Sequence, residues 1–550
     1  MTILTLNKTE LEKKIGKITP ELEDKITQMG TPIEEVNDKT LSVEVFPNRP
    51  DLLSLQNFAR AVNQFREKSK VAQFKINKPE KDYEVTIEKS VKNIRPYTVC
   101  TIVKGLKLTG EKIEDLIDLQ EKLHSSIGRK RKKVAIGIYP LDKIKLPIRY
   151  TAKIPEEIKF IPLEEKKEMS AKHILKNHPT GKVYGGLLKD FEKYPIFIDA
   201  NDEILSMPPI INSEKTGRVT NETKEVFIEC SGSNLHYVQK CLAIIVATIS
   251  EMGSKIYAMN IIDKSEKNLQ TPQMQSEELK FKIEDIEKTL GIQLTESNVK
   301  KFLARMGIGF EKNKSGAVAL IPAYRTDILH WIDLAEEIAI AYGYENFEPI
   351  LPKISTIAYE QPFEKTKQKI AEILSGLGLL ETSSFHLSTK KDIKKMHYDF
   401  TDFLEVLDSK TKHEVLRIDL LTNALQIISE NSDAAYPQKI FEMGTVFKKD
   451  EYALGDVPIK ETENLSIALI DESITFTDLK QVLDYLFKML NIKYDLEVME
   501  NHNYIPGRVA AIIVNERRIG FIGEIAPRVI KNWKIKMPIV AMEIDLDFLA

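Results

Sequence analysis

The segment Pro322-Ala-Tyr-Arg-Thr-Asp-Ile-Leu-His-Trp-Ile-Asp-Leu-Ala-Glu-Glu-Ile338 decides the fold of its part of the chain. It continues from the strand-like run Ala317–Pro322. Asp333, Glu336 and Glu337 then stand at positions i, i+3 and i+4, a spacing that places the three side chains on one face of a helix. The segment therefore predicts a strand, a turn and a helix with an acidic face.

Two interpretations of this acidic face stay open on spacing alone. Like charges this close repel one another, and a Mg²⁺ ion with oxygen ligands and several retained waters would offset the repulsion. Asp327 lies in the predicted turn and can fold over the same face. The candidate metal ligands are therefore Asp327, Asp333, Glu336 and Glu337. The alternative is a solvated acidic helix with Arg325 as the nearby counter-charge, because charge runs usually mark exposed faces.

Later in the chain, strand-like runs follow one another without alternating helices. They are Phe441–Phe447, Asn464–Ile470, Val509–Val514, Arg518–Ile525 and Pro538–Leu546. Strands that come in succession indicate an antiparallel sheet. The predicted fold class is therefore α+β with several domains.

The length of 550 residues suggests three or four domains. Composition shifts and breaks divide the chain into units at 1–85, 90–265, 279–350 and 360–550. The polar run Lys264–Glu278 is typical of a linker between two of them. In the first unit, Asp51 is predicted to cap the helix that follows it.

Composition excludes several classes of protein. The 79 basic and 82 acidic residues give a net charge of −3, so the chain is not a polybasic nucleic-acid binder, and any such contact must come from a local patch. Three cysteines do not make a disulfide framework, which favours a reducing, cytoplasmic location. No apolar run approaches the roughly 20 residues that cross a bilayer. We find no phosphate-binding loop of the GxxxxGK[ST] type and no HExxH zinc motif.

Several motifs together carry a resemblance to a known family. Asp327, Asp333, Glu336 and Glu337, followed by Ala341-Tyr-Gly-Tyr-Glu-Asn346, resemble the magnesium-bearing segment of phenylalanyl-tRNA synthetase beta subunits. Other matching stretches are Phe46-Pro-Asn-Arg-Pro-Asp51, Gly128–Gly137, His178-Pro-Thr-Gly181, Met207–Ser213, Phe441-Glu-Met-Gly444 and Gly520–Pro527. The resemblance covers essentially the whole chain, and its compact plan is similar to the archaeal and eukaryotic type.

The resemblance implies a function, partners and a cofactor. It implies a beta subunit that joins an alpha subunit in an α2β2 tetramer, which attaches L-phenylalanine to tRNA(Phe) with ATP. The Mg²⁺ of the four carboxylates is expected in a site that is structural, or shared with a subunit interface, and not catalytic. It implies an N-terminal α/β domain, an editing-type domain at 90–265, a magnesium-bearing winged-helix-like domain at 279–350 and a class II synthetase-like domain at 360–550. The amino-acid activation site is expected on the alpha subunit. The chain has neither an F-R-x-E strand nor GxGxGxxR, the arginine-bearing motifs that hold ATP phosphate.

Two further sets of residues are weaker candidates. The resemblance implies that the editing-type domain removes tyrosine wrongly attached to tRNA. The polar residues that are candidates to line its pocket are Asn212, Ser213, Thr220, Asn221, Glu229, Ser231 and Asn234. The basic run Arg129, Lys130, Arg131, Lys132 and Lys133 is a candidate for contacts with tRNA phosphates, and an exposed loop is the alternative interpretation. His178 is as compatible with a loop residue as with a base.

Two rival functions come from other classes of protein. One is a stand-alone RNA-binding or structural protein built from the same modules, and the other is a free-standing editing hydrolase. The missing ATP-binding arginines fit all three functions, so they do not separate them.

Overall fold

The computed structural model describes residues 2–264, 268–313, 316–396, 403–450 and 458–549. The chain divides into two compact units, Met1–Ile350 and Leu351–Ala550. Both mix helices with sheets in which most strand pairs are antiparallel. The predicted multidomain α+β class is confirmed to this extent. No helix within the described ranges is long and apolar enough to cross a membrane.

The first unit contains three successive groups of elements. The first group is β1 (Thr2–Asn7), α1 (Lys8–Ile15), α2 (Pro20–Gln28), β2 (Ile33–Val36), β3 (Thr40–Val45), α3 (Leu55–Phe65) and β4 (Ile76–Asn77). The second group is β5 (Glu84–Ile87), β6 (Tyr97–Lys104), α4 (Gly110–Ser125), β7 (Val134–Pro140), β8 (Ile148–Lys153), β9 (Lys159–Phe160), β10 (Met169–Ser170), α5 (Ala171–Asn177), α6 (Pro179–Tyr184), β11 (Tyr194–Ile198), β12 (Ile204–Met207), β13 (Ile211–Asn212), α7 (Glu214–Gly217), β14 (Glu225–Gly232), α8 (Leu235–Ser250), β15 (Lys255–Tyr257), β16 (Met259–Asp263) and β17 (Leu269–Thr271). The third group is β18 (Glu277–Phe281), α9 (Ile283–Leu290), α10 (Glu296–Arg305), β19 (Gly309–Asn313), β20 (Gly316–Ile321) and α11 (Trp331–Tyr342).

Helix α3 begins at a different cap from the one the sequence predicts. Ser54 caps it, because the Ser54 hydroxyl accepts a hydrogen bond from the Asn57 amide at 3.2 Å. Asp51 lies in a short 3₁₀ turn before the helix, and its carboxylate binds the Arg49 guanidinium. The prediction that Asp51 caps this helix is therefore wrong, since its side chain is already engaged by a neighbour.

Two sheets in the middle of this unit pack face to face. One has the strand order β4-β15-β6-β14-β7 and the other β13-β12-β11-β8-β5-β16-β17. Side chains alternate along β14, as they do on any strand. Val226, Ile228 and Cys230 belong to the core that also holds α8, whereas Phe227 belongs to the core between the sheets. This alternation places Glu229 on the face that looks toward the second sheet.

The predicted linker 264–278 contains a strand that belongs to this core. Thr271, at the end of β17, donates a hydrogen bond to the Cys100 carbonyl at 2.7 Å and accepts one from the Cys100 amide at 3.0 Å. Thr271 is fully buried. The linker interpretation is therefore wrong for these residues, because their polar sequence pairs with strands and not with solvent.

The second unit is built on one seven-stranded sheet. Its elements are α12 (Pro362–Gly376), β21 (Leu380–Glu381), β22 (Leu387–Ser388), α13 (Lys390–Lys395), β23 (Val415–Leu416), α14 (Leu421–Glu430), β24 (Gln438–Lys449), β25 (Ile459–Ile470), α15 (Phe476–Met489), β26 (Asp495–Val498), β27 (Tyr504–Val514), β28 (Arg517–Ile525), α16 (Pro527–Asn532) and β29 (Ile539–Asp545). The strand order is β21-β24-β25-β29-β28-β27-β26. The core on one face of the sheet contains α12 and α15, and the core on the other contains α14 and α16. All five strand runs predicted here lie in strands β24, β25, β27, β28 and β29.

Candidate functional site

A cavity of about 630 Å³ lies where β7 and β14 meet the β12–β13 end of the second sheet. Helix α4 and the loops before α6 and β14 complete its wall. We call it the inter-sheet pocket. Its main polar lining residues are Glu121, Arg131, His178, Asn212, Thr220 and Glu229. An apolar cavity wall with a few polar groups is typical of a binding site for a small organic group.

Glu229 lies on the lining of this pocket, and its side chain is almost fully buried, at 2% exposure. Its Oε1 atom is 3.3 Å from the Tyr139 hydroxyl, and its Oε2 atom has no hydrogen-bond partner among the described residues. Burial raises the pKa of Glu229 to about 8, although Arg95 and Tyr139 oppose this shift. At neutral pH the carboxyl is therefore mostly protonated, and it offers both a donor and an acceptor.

Gly137 makes room for the contact between Tyr139 and Glu229. A Cβ atom at position 137 would collide with the Tyr139 hydroxyl and would lie 2.7 Å from Glu229 Oε1. The Tyr139 hydroxyl also donates to Ser206 Oγ at 2.8 Å. Only glycine therefore permits this hydroxyl and carboxyl arrangement on neighbouring strands.

His178 also lines the pocket and connects two short helices. The imidazole is 8% exposed, and its Nδ1 atom lies 3.3 Å from the Thr180 amide that donates to it. With Nδ1 accepting, a neutral imidazole carries its proton on Nε2, so that nitrogen is a donor. Sequence reasoning left His178 without a role. The usable signal is the Pro179 that follows, which places His178 at the cap of α6.

Arg131 forms part of the pocket wall and joins three elements. Its Nη1 donates to the Ile210 carbonyl at 3.0 Å, and its Nη2 donates to Glu121 Oε1 at 2.8 Å. The guanidinium also stacks over the Tyr184 ring at 4.4 Å. Hydrogen bonding from His124, together with Arg131, lowers the pKa of Glu121 to about 2, so this carboxylate stays ionised.

The turn that carries Arg131 has an unusual backbone. Arg129, Lys130 and Arg131 have φ angles of 45°, 53° and 64°, in the left-handed region that non-glycine residues rarely adopt. Buried Arg95 donates from Nη1 to the Arg131 and Lys132 carbonyls, at 3.3 Å each. Left-handed residues of this kind cost of the order of 1 kcal/mol each, so the surrounding contacts must hold the turn.

The structure divides the five predicted tRNA-contact residues into two sets. Arg129, Lys130 and Lys132 are exposed. Arg131 is turned into the pocket wall, and the Lys133 ammonium lies 4.1 Å from the centre of the Tyr237 ring. Sequence reasoning therefore misjudged Arg131, because a run of like residues does not indicate which of them points inward.

The structure also divides the predicted editing residues into those that line the inter-sheet pocket and those that do not. Asn212, Thr220 and Glu229 line the inter-sheet pocket. Ser213, Asn221, Ser231 and Asn234 are not among its lining residues. The Asn234 side chain caps α8 by accepting from the Tyr237 amide at 3.3 Å, and Asn221 is exposed. Ser213 and Ser231 are buried.

The four predicted metal ligands do not gather around a common point. Arg325, which is 1% exposed, donates to both carboxylate oxygens of Asp327 at 2.8 Å and lies 2.9 Å from Glu337 Oε1. Asp333 caps α11 by accepting from the Leu329 and His330 amides at 2.8 and 2.7 Å. Within the described ranges, no three His, Cys, Asp or Glu side chains are placed to hold a metal ion.

The predicted four-carboxylate magnesium site is therefore not formed, because a guanidinium occupies the position between two of its ligands. Glu336 is exposed at the surface. Partial desolvation of its carboxyl, together with the negative charges of Glu337, Asp333 and Asp327, raises the pKa of Glu336. Glu337 Oε2 is buried without a hydrogen-bond partner in the described part of the chain. The unpartnered Glu337 oxygen and the exposed Glu336 carboxylate are two groups, whereas the spacing predicts a set of four ligands.

The same ion-pair network reaches the N-terminal motif. Arg49 donates to both Asp51 oxygens at 2.9 and 3.0 Å, and its Nε lies 4.0 Å from Asp327 Oδ2. Nearby Asp51 and Glu337 keep the pKa of Arg49 raised against its burial. The Phe46–Asp51 and Pro322–Ile338 segments, which are far apart in the sequence, therefore form one buried ionic cluster.

In the second unit, the strand with Phe441-Glu-Met-Gly444 carries a buried ion pair. Glu442 Oε1 accepts from Arg417 Nη1 at 2.7 Å, and both residues are 3% exposed. Arg417 also donates to the Thr445 carbonyl at 2.8 Å. Ser384 donates from its hydroxyl to Glu442 at 2.8 Å. The Glu442 carboxylate of this strand and the Arg417 guanidinium are therefore bound to each other and to neighbouring polar groups.

Three family models match successive parts of the chain. They are described as the B3/4 domain, over residues 82–243, the tRNA synthetase B5 domain, over 279–344, and the phenylalanyl tRNA synthetase beta chain CLM domain, over 348–546. The first range holds the inter-sheet pocket, and the second holds the Arg325 ion pairs.

Curated proteins match over nearly the whole length. The phenylalanine–tRNA ligase beta subunit of Pyrococcus horikoshii is 36% identical over 98% of both chains, and that of Pyrococcus furiosus is 37% identical over 98% of both. A crystal structure of an N-terminal fragment of the phenylalanyl-tRNA synthetase beta subunit from Pyrococcus horikoshii is also similar. It is 36% identical, with a TM-score of 0.59, and the match covers 62% of this chain and 99% of the fragment.

Proposed function

The chain belongs to the phenylalanine–tRNA ligase beta-subunit family, and we propose that its inter-sheet pocket removes tyrosine wrongly attached to tRNA. As a member it is an aminoacyl-tRNA ligase subunit. With an alpha subunit in an α2β2 tetramer, it supports the conversion of ATP, L-phenylalanine and tRNA(Phe) to AMP, diphosphate and phenylalanyl-tRNA(Phe). The location we propose is cytoplasmic.

Glu229 carries the editing proposal. Tyrosine and phenylalanine differ by one hydroxyl, and a site that hydrogen-bonds a hydroxyl discriminates strongly against a substrate that lacks it. The protonated carboxyl of Glu229 has one oxygen near Tyr139 and a second without a partner. The Glu229 carboxyl, which lines the pocket, is the group that meets the substrate phenol. Phenylalanine leaves this buried carboxyl unsatisfied, so the correct product is released intact.

Other residues that line the pocket act on the ester. A water oxygen attacks the ester carbonyl carbon, the bond from that carbon to the ribose oxygen breaks, and the proton that the water loses passes to the ribose oxygen, so the products are tyrosine and a ribose hydroxyl. The Nε2–H of His178 stabilises negative charge on the carbonyl oxygen as it develops. Asn212 and Thr220, which also line the pocket, orient the water and the ribose. Arg131 and Glu121 hold the wall and take no part in bond breaking.

The exposed residues Arg129, Lys130 and Lys132 are proposed to meet tRNA phosphates beside this pocket. Their charges are free of the wall contacts that hold Arg131, and they lie on the same turn. Each phosphate that such a residue neutralises adds salt-dependent affinity. This division assigns specificity to the pocket and non-specific affinity to the turn.

The second unit is proposed to be a class II synthetase-like platform that does not activate phenylalanine. Its antiparallel sheet with helices on both faces supports this, together with the carboxylate of Glu442 in the strand where ATP phosphate would need an arginine.

The divisions 1–85, 90–265, 279–350 and 360–550 remain our proposed domain boundaries.

The deciding experiment measures deacylation of tyrosyl-tRNA by the chain assembled with its alpha partner. The Glu229→Leu variant removes the hydroxyl partner and keeps the side chain of similar size, so we expect hydrolysis to slow by roughly tenfold or more. Phenylalanine-dependent ATP–pyrophosphate exchange should not change, and this is the control. Unchanged deacylation in the variant contradicts the assignment of the pocket.

A further inference from the structure

A second cavity, of about 520 Å³, lies beside the outward face of α3. It shares no lining residue with the inter-sheet pocket. Lining side chains come from the end of α1, from α3, from the loop that follows α3 and from the end of α8. The charged residues among them are Lys14, Arg60, Lys70, Lys75 and Glu251. We call this the basic cavity, because four of its charged residues are cations and one is an acid.

Arg60 is the buried anchor of the basic cavity. It is 7% exposed, and its guanidinium lies 4.5 Å from the centre of the Tyr324 ring and 5.8 Å from that of Phe74. Its Nη1 donates to Asn57 Oδ1 at 2.8 Å, which fixes the plane of the group. Its Nε has no hydrogen-bond partner in the described residues. The guanidinium as a whole lines the cavity and supplies a fixed positive charge there.

The lysines of the basic cavity add uncompensated charge. Lys14, Lys70 and Lys75 are exposed, and none of them forms an ion pair with a described residue. Lys14 lies close enough to Asp115 to lower the pKa of that carboxyl, against the larger effect of its burial. The acid in the lining, Glu251, is exposed and lies 3.5 Å from Arg60 Nη1. The remaining excess of positive charge favours an anionic ligand.

We propose that the basic cavity binds a phosphate group, supplied by the phosphodiester backbone of RNA. Guanidinium and ammonium groups are the side chains that recognise phosphate, and here one buried guanidinium and three exposed ammonium groups line the same cavity. Phe74 lies in the lining beside them, and an aromatic face next to cations is the combination on which a nucleic-acid base stacks. The open lysines suit an RNA strand, and a free phosphate or nucleotide shares the same chemistry. This site is additional to the editing proposal and does not depend on it.

The first measurement compares tRNA binding by the full chain and by two charge-matched double variants. Lys70→Gln with Lys75→Gln removes two cavity charges, and Lys17→Gln with Lys39→Gln removes two exposed charges from the same part of the chain that do not line the cavity. Fluorescence anisotropy over a range of KCl gives the dissociation constant and its salt slope. We expect the cavity variant to bind roughly tenfold more weakly and to lose about 1.4–1.8 from the slope, whereas the control stays close to wild type.

The second measurement separates the two sources of phosphate. Thermal melts in inorganic phosphate and in chloride, at equal ionic strength, are recorded for the same three proteins. If tRNA binding is unchanged but phosphate raises the wild-type melting temperature and not that of the cavity variant, the occupant is a free phosphate. If the cavity variant matches the Lys17/Lys39 control in both measurements, the phosphate site is refuted. Because both pairs of lysines are exposed, all variants should fold.

Discussion

Arg325 and Glu337 form a buried ion pair at 2.9 Å, inside a helix face that the sequence assigns to a metal. Arg325 also binds Asp327 at two points, and Arg49 approaches the same aspartate from the N-terminal motif. The Arg325 guanidinium neutralises the carboxylates of Asp327 and Glu337. Repulsion among these carboxylates was the reason to expect a divalent cation. The two motifs that seemed separate in the sequence therefore stabilise each other through one cluster.

Arg325→Met should strongly destabilise the chain, because it leaves Glu337 without its ion-pair partner and Asp327 with Arg49 alone, at 4.0 Å. Loss of one partner from a buried pair costs about 3–5 kcal/mol. The measurement is the free energy of unfolding in urea. The control is Arg218→Met, whose exposed pair with Glu214 should be worth less than about 1 kcal/mol. Equal effects of the two substitutions would show that the Arg325 cluster adds nothing.

Mg²⁺ should not stabilise the acidic segment, and Glu336→Ala is the variant that tests this. Glu336 is exposed and close to other carboxylates, so its removal should leave the melting temperature unchanged or slightly higher. Melts in EDTA and in Mg²⁺ should coincide for the wild-type chain. A rise with Mg²⁺ that the Glu336→Ala variant loses would restore the metal site.

Binding of a tyrosyl ligand should weaken as the pH rises through about 8, the pKa of Glu229. The protonated form is present below that pH, and ionisation removes the donor and buries a charge. Glu229→Gln keeps a neutral donor and acceptor, so its affinity should not depend on pH in this range. Binding of a non-hydrolysable tyrosyl-adenosine analogue avoids interference from hydroxide-catalysed hydrolysis. A pH profile that the Gln substitution does not alter would remove Glu229 from recognition.

The same ionisation affects stability with a definite sign. The folded pKa of Glu229 is above its ordinary value of 4.5, so the native state binds more protons between these two values. Stability from this group is therefore lost as the pH rises from about 4.5 to about 8. The difference in unfolding free energy between wild type and Glu229→Gln should change over this window and be constant above it.

Arg131→Met and Arg129→Met should have different effects although the residues lie on the same turn. Arg131 ties the Ile210 carbonyl to Glu121, so its loss should widen the pocket and slow deacylation by roughly tenfold, while a lysine restores part of the rate. Arg129 is exposed, so its loss should reduce tRNA affinity and the salt slope by about 0.7–0.9 without changing the rate at saturating tRNA. Identical profiles for the two variants would contradict the division of the turn.

Local patterns in the sequence predicted the elements well. Asn464–Ile470 and Pro538–Leu546 are short, mostly apolar runs, and residues of both form paired strands of the predicted antiparallel sheet. The spacing of Asp333 and Glu337 likewise predicted the helix that carries them. In these cases the cause lies within a few residues, where a pattern can reveal it.

Contacts between distant residues were not predictable in the same way. The sequence offered Arg325 as a counter-charge of the acidic segment, but Arg49 lies far from Asp327 along the chain, so spacing within the segment could not show that a second guanidinium joins it. Glu229 is a candidate through the resemblance, but no local pattern indicates that Tyr139 and Gly137 lie beside it. The site depends on which faces of separate strands meet, and that is a property of the tertiary fold.

The last prediction concerns the second unit, where the purified chain alone should not catalyse phenylalanine-dependent ATP–pyrophosphate exchange. Activation needs cationic groups that hold ATP phosphate. Strand β24 carries at Glu442 a buried carboxylate that repels phosphate, and the nearby Arg417 is already bound to it and to the Thr445 carbonyl. A Cβ atom at Gly444 would collide with the Arg417 guanidinium, so this arginine fills the space above the strand. Exchange should appear when the alpha subunit is added. Glu442→Gln, which removes the repulsion, should not create activity in the chain alone, because Arg417 keeps its other contacts. Robust exchange by the isolated wild-type chain, undiminished through successive purification steps, would contradict the division of labour between the subunits.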